Sequence, residues 1–265
     1  MRNRNVKLPA INLCLLITLV GCGPGAASPQ QNKELAAGYR SLDQHQSDQA
    51  IQQADDYLRA QPDGPGDAEA LYLKGRGFEQ KTAATPAESA KNLAAARAAY
   101  EDALNLNPSP KTEGYVRASL SNVDFFQEDY PAAVREASRA FMLITTPAIR
   151  AQLLYRIGIS QQRIGRFTDA DQTFGLVETD YPGSPIAQSA HQHIGVREFY
   201  VQVGTFDSAG AQRALAFLGN NQLPAARQNV NGQTLVNSGP FNDYASAKAA
   251  KLKLVDQFPQ SQIVP

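Results

Sequence analysis

The chain has 265 residues, 43% hydrophobic and 19% charged, with 25 basic against 25 acidic side chains and two cysteines. That length allows one large or two smaller domains. Balanced charge argues against nucleic-acid binding, which depends on clustered Lys and Arg, and two cysteines supply no disulfide framework. In chain order, Met1 to Lys7 carries Arg2, Arg4 and Lys7 and no acid, and an apolar run from Leu8 to Val20 is interrupted only by Asn12 and Thr18. Such a run is short for a membrane span of about 20 residues but fits the apolar stretch of an export signal.

The run ends in Leu19-Val20-Gly21-Cys22. This resembles the lipobox of bacterial lipoproteins, and the resemblance implies a signal peptide over 1–21 and lipidation of Cys22. Two or more acyl chains hold a protein stably on a membrane. Gly23, rather than Asp, follows the cysteine, which in the common Gram-negative sorting rule implies a cell-envelope protein on the periplasmic face of the outer membrane. The other cysteine, Cys14, lies in the leader, so the processed chain keeps no free thiol for a disulfide, metal or nucleophile. Loss of 1–21 also leaves 22 basic against 25 acidic side chains, a formal charge of −3. "GPGAASPQQ" after Cys22 reads as a tether over 22–31.

From 32 to 197 the pattern is alanine-rich, helical in period and punctuated by proline. The clearest unit has Leu154, Tyr155, Gly158, Gly165, Phe167, Ala170, Phe174, Val177 and Pro182, and resembles a tetratricopeptide repeat. The resemblance places Gly158 and Ala170 where two helices touch, with Phe174 filling the gap. Weaker copies carry Gly38 and Ala50; Gly75, Ala96 and Tyr100; and Tyr130, Ala133 and Ala137, with Pro62, Pro108 and Pro147 ending them. The alanines Ala50, Ala96, Ala133 and Ala170 are spaced 46, 37 and 37 apart, against roughly 34 in the repeat family. The longest spacing predicts a lengthened turn near Thr82–Leu93. Residues 184–197 read as a closing helix that covers the last apolar face. By the resemblance, Tyr39, Tyr72, Arg76, Tyr115, Asn122, Phe125, Tyr155 and Gln162 face a partner-binding groove. Leu35, Tyr72, Ala118 and Tyr155 stand where some such domains use lysine to clamp a C-terminal carboxylate, which argues against that mode.

Phe199 to Val203 alternates as a strand, and Gly204 is expected to break it. Asp207 or Ser208 then caps a helix with Ala211, Ala214, Leu215 and Leu218 on one face. A second strand, Ala225 to Val230, joins a third, Gln233 to Ser238, through Asn231-Gly232, a strong hairpin signal. Asn242 or Asp243 caps a second helix with Ala247, Ala250, Leu254 and Phe258, and Ser261 to Val264 adds a last strand. The order is βαββαβ, the split βαβ or ferredoxin-like α+β fold, placed after an α-helical tetratricopeptide solenoid. "VQVGTF" at 201–206 and "VNSGPF" at 236–241 then mark one structural unit used twice.

These motifs resemble the SPOR domain, a peptidoglycan-binding module, over 198–265. The resemblance implies binding of glycan strands stripped of stem peptides, on the exposed sheet face. By position it carries over Gln202 and Thr205, while Leu235 and Asn237 share that face by alternation and Tyr200 supplies a ring. The chain departs from the family where several members carry Trp or Tyr with a nearby Arg: Gln233 and Leu235 stand there, and there is no Trp.

No catalytic constellation, metal site or cofactor motif is present in the pattern. His191 and His193, two apart on a helix, read as solvated rather than chelating. The expected partners are peptidoglycan glycan strands, an unidentified envelope protein and, through the lipid anchor, the membrane, with no nucleic acid. Two readings remain. One is a non-enzymatic lipoprotein that binds denuded glycan and recruits a protein, for instance at division sites. The other is a protein–protein scaffold, accessory to a hydrolase or secretion complex, whose last domain no longer binds glycan.

Overall fold

A computed structural model describes residues 29–60 and 63–265. The expected leader, Cys22 and residues 23–28 lie outside the described residues. No helix among the described residues is long and apolar enough to cross a membrane. The chain forms two compact units, divided between Pro108 and Ser109.

The first unit contains α1 (Pro29–Asp43), α2 (Ser47–Ala60), α3 (Asp67–Gln80) and α4 (Pro86–Asn105). The helix α1 thus begins inside the stretch expected to be tether. The second opens with α5 (Pro110–Phe126), α6 (Tyr130–Leu143), α7 (Pro147–Arg163), α8 (Phe167–Asp180) and α9 (Pro185–His193). Within each unit helices pack on their neighbours in chain order, the connectivity of a tetratricopeptide-type solenoid.

Small residues set the spacing of the pairs. Ala50, Ala96, Ala133 and Ala170, one in the second helix of each pair, are fully buried. A Cβ added to Gly158 would sit 2.5 Å from the Phe174 ring, and one on Gly75 would sit 2.4 Å from the Tyr100 ring. In both pairs a glycine of the first helix receives an aromatic ring of the second. Gly38 differs: its added Cβ would meet Leu73 of α3, so it serves contact between successive pairs.

Two sequence expectations are corrected. The long alanine spacing lengthens a helix instead of a turn: α4 has 20 residues where α2, α6 and α8 have 14. Thr85 caps it by accepting from the Glu88 N–H at 3.1 Å, and Glu88 Oε2 accepts from the Ala84 N–H at 2.8 Å. With Pro86 at the first helical position, this arrangement stops the link early. Likewise Pro147 starts α7 instead of ending the preceding repeat, because the first turn of a helix tolerates a residue without an N–H.

The second unit continues with β1 (Phe199–Phe206), α10 (Ser208–Asn220), β2 (Ala225–Val230), β3 (Gln233–Phe241), α11 (Tyr244–Leu254) and β4 (Gln262–Val264). The sheet order is β2-β3-β1-β4, and every pairing is antiparallel. Asp207 caps α10 through Gly210 N–H and Asp243 caps α11 through Ser246 N–H. Asn231 and Gly232, with φ of 50° and 80°, make the expected tight turn. Phe199, Val201, Val203 and Val236 pack against Ala211, Ala214, Leu218, Ala247, Ala250 and Leu254, so the two helices cover one sheet face.

Gly204 does not break β1. It sits in a bulge, opposite Val236, and the strand continues to Phe206. The two hexapeptides prove to be hydrogen-bonded neighbours: Val201 lies opposite Ser238 and Gln202 opposite Asn237. Gly239, with φ of 135°, allows β3 to pass close under β1, since an added Cβ would be 2.8 Å from Tyr200 Cδ1.

The α+β domain is docked on the preceding helices. Arg163, at the end of α7, has its guanidinium 4.4 Å from the Phe125 ring centroid, 5.0 Å from Tyr130 and 4.7 Å from Tyr244 of α11. Tyr244 in turn meets Phe199 edge-on at 5.6 Å, and Phe199 lies 6.1 Å from Phe167 of α8. Lys248 pairs with Glu128, and Arg197 with Asp171 at 2.6 Å.

Candidate glycan-binding face

The face of the sheet away from α10 and α11 is built by strand alternation. Along β1, Phe199, Val201 and Val203 are buried, and Tyr200 and Gln202 take the opposite side, half-buried. Along β3, Val236 and Ser238 are buried while Leu235 and Asn237 are half-buried. The bulge at Gly204 shifts the count by one, and Thr205 rejoins the open face opposite Leu235. All five expected residues, Tyr200, Gln202, Thr205, Leu235 and Asn237, are therefore brought to one surface.

Register adds residues the sequence reading missed. Gln262 of β4 lies opposite Gln202, and Gln228 of β2 lies opposite Leu235. The row across the strands reads Gln262, Gln202, Asn237 and Ala226, and the rows beside it bring in Tyr200 with Val264 and Thr205 with Leu235. None of these side chains is ionisable at neutral pH. Asn237 Oδ1 is shielded from solvent and has no hydrogen-bond partner among the described residues. Tyr200 donates to Glu198 at 3.3 Å. Partial burial, followed by the nearby Glu198 charge, raises its hydroxyl pKa. The face offers amides, two hydroxyls and one ring, with the Glu198 carboxylate beside Tyr200, a set that suits a polyhydroxylated ligand.

The residues expected to line a partner groove are placed differently. Tyr72, Arg76, Asn122, Tyr155 and Gln162 are buried, because neighbouring helices and the closing helix pack on them. Arg76 donates to the Tyr72 hydroxyl at 3.2 Å. Gln162 Nε2 donates to the His193 carbonyl at 2.8 Å, and Gln162 Oε1 lies 2.9 Å from His193 Nδ1. Tyr155 Oη reaches His193 Nε2 at 3.2 Å. Phe125 is half-buried beneath Arg163. Tyr39 and Tyr115 are also half-buried.

His193 is likewise not solvated as expected. Its ring stacks on Phe174 at 5.2 Å, and burial, with the Arg163 charge second, lowers its pKa to about 4. The neutral ring therefore donates from Nδ1 to Gln162 and accepts from Tyr155 at Nε2. His191 is exposed and pairs with Glu178 at 2.6 Å. Among the described residues no cluster of three or more His, Cys, Asp or Glu could hold a metal ion.

No curated protein matches the chain. Among solved structures, two titled as crystal structures of MamA share 19% and 16% identity, each with a TM-score of 0.46. They cover 60% and 62% of this chain and 80% and 81% of theirs. A structure titled as TTC0263, a thermophilic TPR protein from Thermus thermophilus, shares 13% identity over 62% of this chain and 98% of its own, with a TM-score of 0.39. Similarities this weak carry no functional weight. The family model described as SPOR domain matches residues 195–265. That span contains the whole four-stranded sheet, its two helices and the open amide face, and it is a SPOR domain, a module that implies binding of peptidoglycan.

Proposed function

We propose that the protein is a lipid-anchored component of the bacterial cell envelope that holds denuded glycan strands on the open face of its SPOR domain and recruits an envelope protein through its helical repeats. The observation that carries this reading is the amide-bearing face on which Gln202 and Asn237 stand directly opposite each other. A glycan freed of stem peptides by an amidase keeps one lactyl carboxylate per disaccharide, and its other groups are neutral hydroxyls and amides, to each of which a hydrogen bond contributes about 0.5–1.5 kcal/mol. Anchoring at Cys22 rests on the Leu19-Val20-Gly21-Cys22 motif, and placement on the periplasmic face of the outer membrane rests on Gly23. Residence at division sites follows if denuded strands are concentrated there.

The test is co-sedimentation of the chain from Gly23 onward with cell-wall sacculi, intact and after amidase has removed the stem peptides. Binding should rise on stripping and fall roughly three- to tenfold in Gln202→Ala. Absence of binding to both preparations would overturn glycan recognition and leave the scaffold reading. For the anchor, Cys22→Ser should abolish fatty-acid labelling and release the chain from membranes; persistent labelling would refute it.

A further inference from the structure

Building on recruitment of a protein by the repeats, we propose that Phe125, Glu128, Tyr130 and Arg163 form a binding socket for a helix that carries an aromatic residue and, one turn later, a cation. In this structure α11 of the SPOR domain fills the socket, and a partner helix with the same pair of residues displaces it. The occupant shows what the socket recognises. Tyr244 meets the Tyr130 ring edge-on at 5.7 Å, and its own ring centroid lies 4.7 Å from the Arg163 guanidinium. Lys248, four residues on and so on the same face of α11, pairs with Glu128. The repeats hold the socket together without α11: Arg163 Nη1 donates to the Tyr130 hydroxyl at 2.9 Å, and Phe125 lies edge-on to Tyr130 at 5.7 Å.

Two further observations point to recognition at this edge. Glu128 has φ of 64°, in the left-handed region. The turns α1–α2 and α7–α8 place His45 and Gly165 in that conformation, residue types common there, whereas glutamate is not. A side chain kept at a strained backbone position points to a task for its carboxylate, and the contact it makes is with Lys248. The second observation is Phe126, 48% exposed and edge-on to Phe125 at 6.0 Å. The aromatic surface therefore runs on past the part that α11 covers. A partner helix that also covers Phe126 gains apolar burial that α11 does not have. The Lys248–Glu128 pair is open to water on both sides and so holds α11 only weakly. Residues 194–198 keep a displaced domain tied to α9.

The probe is a fluorescein-labelled peptide of residues 242–256, held helical by a lactam between positions 245 and 249, both exposed in α11. It is titrated into the chain from Gly23 onward. In the unaltered chain α11 occupies the socket and lowers the apparent affinity for the peptide. Tyr244→Ala in the chain should empty the socket and tighten peptide binding roughly tenfold. Tyr244 also borders the domain core, so circular dichroism checks that this variant folds. Lys248→Glu, at a side chain 44% exposed, sets a like charge against Glu128 away from the core and should tighten binding roughly threefold. Arg163→Ala loosens α11 but removes the cation of the socket, and should bind the peptide no more tightly than the unaltered chain does. A peptide with alanine in place of its tyrosine should bind roughly tenfold more weakly. Equal binding of the two peptides, or no gain in either opened variant, overturns the socket. For the partner, p-benzoylphenylalanine in place of Phe126 should cross-link, in the cells that make the chain, to a protein segment with an aromatic residue and a Lys or Arg four positions later, and Arg163→Ala should abolish the product. Cross-linking only to a second copy of the chain, or to nothing, overturns the partner reading. An envelope protein held at a site away from Phe126 would sink this inference while recruitment by the repeats stands, and sacculus binding, measured separately, decides glycan recognition.

Discussion

Replacing Arg163 with Ala should loosen the SPOR domain from the repeats. The guanidinium lies 4.4 to 5.0 Å from the rings of Phe125, Tyr130 and Tyr244, and its Nη1 donates to the Tyr130 hydroxyl at 2.9 Å. Each ring contact at a partly exposed site contributes about 0.5–1 kcal/mol, and a hydrogen bond from a charged donor about 1.5–3 kcal/mol. One side chain makes all of them, so they do not simply add, and a loss of about 2–4 kcal/mol is expected. Arg163→Lys keeps the charge but not the planar group that lies against the rings, and should recover only part. The assay is urea unfolding of Arg163→Ala, Tyr244→Ala and the double variant, together with native-state trypsin cleavage after Arg197. That residue is held to Asp171 in the segment leading into β1. A coupling energy above about 1 kcal/mol and cleavage accelerated at least tenfold are expected. Coupling within about 0.5 kcal/mol of zero, with unchanged cleavage, would mean the cage is incidental to docking.

Gly158→Ala should cost about 1–3 kcal/mol in urea unfolding, because its methyl would overlap the fully buried Phe174 ring; a neutral effect would show that the helix pair can spread. His193 should confer acid sensitivity. Its folded pKa of about 4 lies below the ordinary value of about 6.5, so the unfolded chain binds the extra proton first. Stability is then fully present above about pH 6.5 and is lost as pH falls towards 4, by roughly 2–3 kcal/mol. His193→Gln should flatten that slope between pH 7 and 4.5, and proton resonances of a His193 ring that titrates near 6.5 would refute the burial argument.

Much of the SPOR domain was legible because its signals are local. Asn231-Gly232, the Asp207 and Asp243 caps and the alternation of Phe199 to Val203 each act within a few residues. What was misread depends on distant partners. Gly204 looked like a strand end because its bulge exists only relative to Val236. Gln262 went unnoticed because the register of β4 on β1 is set by packing between strands about 60 residues apart in sequence. In the repeats, the tetratricopeptide resemblance puts Tyr155 and Gln162 at groove positions, yet the closing helix brings His193 onto both. The lengthened α4 was legible in principle: Thr85-Pro86 with Glu88 three residues after the threonine is a capping pattern, and its local evidence outweighs a spacing counted between alanines.

Docking and the proposed glycan face use different sides of the same domain, and this separates two explanations of any binding defect. The junction is made by Tyr244 and Lys248 of α11 and by Phe199, whose ring belongs to the core side of β1. Gln202, Asn237 and Gln262 lie on the other side of the sheet. Since Arg163→Ala disturbs only the first set, it should leave affinity for stripped sacculi within about twofold, less than the effect of losing one hydrogen bond. A tenfold loss would mean that the repeats hold the sheet in its binding shape. The SPOR domain and α5–α9 would then have to be treated as one binding element, in which a protein seated on the repeats could alter the hold on glycan.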